Sequence, residues 1–162
     1  MIEKLDFLVR FWELQARHAT LGQPLSSREQ VELLSLMQLV MGEVALPLAG
    51  PVARTRNAIP AQMIGDGTMK AIEIRALNAA AMVVACSTSM AAGAPVIVRA
   101  ADAISGVEYA LPCKVMWAYG GSPCTMALAV DGIPTRSVFG LPADAHLHDG
   151  AMSMGRTERL VG

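Results

Sequence analysis

The run Thr68-Met69-Lys70-Ala71-Ile72-Glu73-Ile74-Arg75-Ala76-Leu77 decides the fold class. In an extended chain Ile72 and Ile74 fall on one side, and Glu73 and Arg75 on the other. Strand side chains alternate between faces, so this period of two predicts a half-buried strand. Similar short runs cover residues 57–64, 80–86, 95–100, 107–119 and 124–130. Turn chemistry separates several of them: Gly65-Asp66-Gly67, Ala92-Gly93, Ser105-Gly106 and Gly120-Gly121. Six short strands at this spacing predict an antiparallel barrel, because closure removes exposed edges. The chain has no long helical pattern between strands, which argues against a parallel α/β sheet. Residues 135–140 read as a seventh strand or an extended arm.

Upstream of about residue 50 the period is helical. Ile2, Leu5, Leu8, Val9, Trp12 and Ala16 recur at three- and four-residue steps and line one helix face. Gly22 and Pro24 end that helix. Ser26-Ser27-Arg28-Glu29 then has the form of a capping box, and a second helix is expected to follow it. Val31, Leu33, Leu34, Leu36, Met37, Val40 and Met41 give this helix a broad apolar face, and Gly42 and Pro47 stop it. The expected organisation is an N-terminal helical hairpin (1–46), a barrel (51–134) and a C-terminal arm or tail (135–162). Phe7, Phe11 and Trp12 add more apolar surface than one helix face needs. They are candidates either for capping the barrel or for a homodimer or partner surface, since Trp and Phe are common interface anchors.

Composition bounds the function. The chain has 162 residues, with 13 Lys and Arg against 14 Asp and Glu, and a net charge of −1. There is no basic excess to drive binding to nucleic acid or an anionic membrane. Hydrophobic residues are 53% and charged ones 17%, which excludes disorder as the main state. The uncharged stretch 76–98 is broken by Asn78, Ser87, Thr88, Ser89, Gly93 and Pro95. It reads as strands and a polar turn rather than a membrane span. Cys86, Cys113 and Cys124 form no C-x-x-C pair, which argues against a zinc knuckle or a redox motif of that spacing. They are expected to be reduced, buried thiols in a cytoplasmic protein. Met82, Met90, Met116, Met126, Met152 and Met154 are expected as core filler rather than a binding surface.

The strand order and several landmarks resemble the PilZ-domain family over roughly residues 51–134. The resemblance rests on an Arg-containing arm that leads into Ile59-Pro60, a strand pair around 76–84 and Gly93 before a β run. Val115-Met116-Trp117 in the long fifth strand completes it. It implies a six-stranded barrel in a bacterial signalling protein, and in typical members a site for cyclic di-GMP. That site uses two arginines with three residues between them and an Asp/Asn-x-Ser-x-x-Gly run at the second-to-third strand turn. Here the first arginine falls on Arg54, the second on Ala58, and Arg56 is out of register. Set against Met82-Val83-Val84, the other motif begins at Ala76, with Asn78 at the serine and Ala81 at the glycine position. The expectation is therefore a degenerate PilZ-like adaptor without cyclic di-GMP binding. It acts by contact with an unidentified signalling or motility protein, in motility or cell polarity. The alternative is a cyclic di-GMP receptor that uses Arg54, Arg56 and Asn78 in a shifted register.

Other chemistry is weaker. His146 and His148 could share one strand face, but His18 is the only other histidine, so no metal site is expected. Cys113 beside Lys114, and Cys124 after Gly120-Gly121-Ser122-Pro123, lack a histidine signature for nucleophilic catalysis. No Gly-Lys-Ser/Thr follows the glycine pairs, so no phosphate loop is present. No enzyme activity and no cofactor are expected.

Overall fold

The computed structural model describes residues 2–20, 22–40 and 52–139. Two helices, α1 (Ile2–Ala19) and α2 (Ser27–Val40), precede seven strands. These are β1 (Ile59–Gly65), β2 (Thr68–Leu77), β3 (Met82–Cys86), β4 (Pro95–Asp102), β5 (Val107–Tyr119), β6 (Cys124–Val130) and β7 (Thr135–Val138). The sheet runs β4-β1-β2-β3-β6-β5-β7, every pairing is antiparallel, and a further β4–β5 pairing closes it. The protein is thus mainly β: a closed six-stranded antiparallel barrel with N-terminal helices. β7 joins the edge of β5 that β6 leaves uncovered, pairing with residues 107–110 while β6 pairs with 113–119.

Local chemistry sets these elements. The β1–β2 hairpin turns on Asp66-Gly67, whose φ angles of 51° and 70° are those of a type I′ turn. That turn matches the twist of the flanking strands. Ile72, Ile74 and Leu77 of β2 point inward and are buried. The inward parity survives because the β2–β3 register shifts between Ile74 and Ala76, leaving Arg75 as the extra residue of a bulge. Ser26 caps α2: its Oγ accepts the Glu29 N–H at 3.2 Å, and Glu29 Oε1 accepts the Ser26 N–H at 3.1 Å. The expected capping box is therefore formed, which satisfies two helix-end donors.

The helix α1 lies across one barrel end. Leu5, Leu8, Val9, Phe11, Trp12 and Leu14 are buried in one cluster with Ile59, Leu77, Met82 and Leu128. Trp12 Nε1 donates to Ala79 O at 2.7 Å, fixing α1 to the β2–β3 turn. Tyr109 Oη donates to Asp6 Oδ1 at 2.7 Å, fixing it to β5. At the opposite end Met90 fills the mouth and packs against Gly65. A Cβ there would come within 2.7 Å of Met90 Cε, so glycine permits the close approach.

The core also sets a pH limit. Burial, with a smaller contribution from Asp131, pushes the Cys113 thiol up to about 12. Burial and then the Asp6 carboxylate push the Tyr109 hydroxyl up to about 12. The folded protein keeps these protons at pH values where the unfolded chain releases them. Their contribution is complete below about pH 8.5, the ordinary thiol value, and is lost as pH rises to about 12. Thermal melts should show a midpoint that falls between about pH 9 and 11. Cys113→Ala should reduce that slope, and an unchanged slope would remove the thiol from the account.

No helix among the described residues is long and apolar enough to cross a membrane.

Candidate functional site

The arm 52–58 runs beside the outer face of β2, where the predicted ligand residues can be located. Arg54 Nε lies 2.9 Å from Glu73 Oε2, with the Arg54 side chain 72% exposed. Arg75 Nε donates to Glu73 Oε1 at 3.1 Å, and its Nη1 donates to Val52 O at 2.8 Å. Glu73 thus sits between two guanidinium groups, one from the arm and one from its own strand. Arg75 ties the arm down through a backbone carbonyl. Arg56 is exposed, and among the described residues no ion pair joins it to the cluster.

Asn78 is elsewhere. It opens the β2–β3 turn, and its Oδ1 accepts the Ala80 N–H at 2.8 Å and the Ala81 N–H at 3.1 Å. Its own N–H donates to Ala81 O at 2.9 Å. This is an Asx-type turn built by the side chain. Five positions along a strand separate Glu73 from Asn78, roughly 16 Å at the usual rise. Arg54 pairs with Glu73, whereas the Asn78 side-chain oxygen is engaged within its own turn. Ala76 lies within β2, paired with Val83, so it is not a turn residue. Asn78 is the first residue after β2. The adjacent Ala79 carbonyl holds Trp12, so the helix α1 occupies this end of the turn.

A groove of about 500 Å³ adjoins Glu73 and Arg75, with Ala85, Ser87, Ser122 and Pro123 on its other side. A second groove, of about 570 Å³, lies between Glu13 and Arg17 of α1 and Thr135 and Arg136 of β7. Its cations are engaged: Arg17 with Glu29 and Glu13, and Arg136 with Asp6.

The apolar surface also differs from expectation. Phe11 and Trp12 are each only 4% exposed and Phe7 is half-buried, because α1 sinks into the barrel mouth. Phe11 and Trp12 therefore cap the barrel and present no free surface. Four exposed apolar residues are grouped on α2, whose only fully buried side chain is Leu33, while others such as Ile97, Ile104 and Met116 are spread over the barrel and its turns. Val31, Leu34 and Leu39 are each more than 60% exposed, and Met37 is 44% exposed. The broad apolar face expected for this helix thus divides: Leu33, Leu36 and Val40 turn towards α1 and the barrel, Val31, Leu34 and Met37 face outward, and Met41 lies outside the described residues. Arg10 clamps the pair from the side, through Nε and Nη2 to the two carboxylate oxygens of Glu32, each at 2.8 Å. Of the methionines, Met82, Met90 and Met126 are core, whereas Met116 is 53% exposed.

Cys86 and Cys113 are buried as expected, and Cys124 is partly exposed. Cys113, with its raised thiol pKa and an apolar setting, is a poor nucleophile. No group of three potential metal-ligating side chains occurs among the described residues. His146, His148, Met152 and Met154 lie outside them.

No protein-family model matches the chain, and no curated protein matches it in sequence. The class that fold and surface define is a closed antiparallel barrel, plugged by one helix and carrying a second helix with an exposed apolar side.

Proposed function

We propose that the chain is a PilZ-like adaptor that acts by protein contact and not through cyclic di-GMP. The observation that carries this reading is the position of Glu73. A bound dinucleotide places phosphates against arginine forks. Here the carboxylate of Glu73 already engages Arg54 and Arg75. A phosphate at this place meets a like charge and must displace an existing partner. The turn that would complete such a site holds α1 instead. The resemblance supplies the setting, a bacterial cytoplasmic signalling role in motility or cell polarity, and the fold by itself fixes no function.

The exposed side of α2 supports the contact half of the reading. Val31 and Leu34 stand one turn apart and face outward. Exposed apolar side chains grouped in this way mark interaction surfaces more often than scattered ones do. A photo-crosslinking side chain at Leu34, tested in the producing cell, should join the protein to one discrete partner or to a second copy. The same group at Gln62, on the barrel wall, should not. Equal labelling from both positions, or none from Leu34, removes α2 as the contact surface.

A further inference from the structure

Cys86 ends β3 and Cys124 begins β6, and the two are directly opposite in the antiparallel register. Directly opposed residues project their side chains from the same face of the sheet. Their Cα atoms are about 4.5 or 5.5 Å apart, depending on the type of pair. Both separations lie inside the range of about 4.4–6.8 Å that a disulfide spans. The spacing of opposed strand positions is thus one that a disulfide can bridge.

The surroundings give the pair access and asymmetry. Cys86 is 2% exposed and belongs to the core. Cys124 is partly exposed, with Sγ 3.3 Å from Gly121 O. The same Sγ lies 4.0 Å from Ser87 O, so it leans over the end of β3 beside Cys86. The groove lined by Cys86, Ser87, Ser122 and Pro123 reaches this end of the ladder and is wide enough for a small oxidant. Cys113 has no such partner, since its cross-strand neighbours are Val96 and Val130.

We propose that Cys86 and Cys124 form a dithiol oxidation site whose oxidant is a hydroperoxide. The accessible Cys124 thiolate attacks one peroxide oxygen. The S–O bond forms, the O–O bond breaks, and an alcohol (or water) leaves after taking a proton. Cys86 then attacks Sγ of the Cys124 sulfenic acid, the S–S bond forms, and the S–O oxygen leaves as water. Two thiols lose two electrons and two protons, and one peroxide is reduced. The product staples β3 to β6 beside the groove that holds Glu73 and Arg75.

The test is treatment of the folded, full-length protein with hydrogen peroxide, followed by thiol counting, intact mass and peptide mapping under non-reducing conditions. Reactive thiols in the unfolded product should fall from the three of the sequence to one. The monomer should lose about 2 Da, as a disulfide requires. The map should join Cys86 to Cys124. The variant Cys113→Ser should behave alike, and Cys86→Ser should stop at a sulfenic or higher acid on Cys124. Mapping on the unmodified chain keeps the test valid if a variant fails to fold. A dimer linked through Cys124, over-oxidation of Cys124 with Cys86 still reduced, or three unchanged thiols would each overturn the proposal.

Discussion

Replacing Trp12 with Ala is expected to cost about 3–5 kcal/mol of stability, the range for deleting a buried Trp or Phe. The side chain is 4% exposed and sits where α1 crosses the barrel mouth. Its removal opens a cavity bounded by both the helix and the barrel, and it deletes the hydrogen bond to Ala79 O. A loss of this size is a large part of the 5–15 kcal/mol or so that holds a typical domain together. The melting midpoint should fall by roughly 10 °C or more. Trp12→Phe keeps most of the ring and should lose much less. A cost below about 1 kcal/mol for Trp12→Ala would mean that α1 does not plug the barrel in solution.

The second large effect separates two adjacent leucines. Leu33 is 7% exposed and Leu34 is 62% exposed. Leu33→Ala should destabilise by about 2–5 kcal/mol, as buried leucine truncations do. Leu34→Ala should stay within about 0.5 kcal/mol, as surface changes do. Chemical denaturation of both variants checks the orientation of α2 directly. Equal costs would mean that the outward side of α2 is covered, and that the helix offers no free apolar face.

Much of the barrel was legible in the sequence because a strand with one buried face shows its period in a few residues. The expected strands over 68–77, 107–119 and 124–130 coincide with β2, β5 and β6, and the other three differ by one or two residues at their ends. The start of α2 was legible for a similar reason, since the capping box is a local interaction. Burial of the helices was less so. Phe11 and Leu14 lie outside the narrow stripe read for α1 but are buried, because the barrel mouth surrounds a wider arc than a flat surface would. On α2, Leu33 and Leu34 have the same chemistry, and only the position of α1 decides which is covered. The candidate site was least legible. Glu73 was read as the polar side of a strand, and nothing local shows that the arm returns Arg54 to it from 19 positions upstream. The bulge at Arg75 was likewise not legible, because it shows only in the pairing of β2 with β3.

The central claim is that Glu73 and α1 occupy the surface a dinucleotide would need. Hydrogen bonds to charged groups are worth about 1.5–3 kcal/mol each, so losing two costs several powers of ten in affinity when each lies near the upper value. The most direct measurement is a calorimetric titration of the unmodified protein with cyclic di-GMP. The account predicts no saturable heat at micromolar ligand. Saturable micromolar binding that disappears in Arg54→Ala, with the fold intact by circular dichroism, would contradict it and make the protein a receptor.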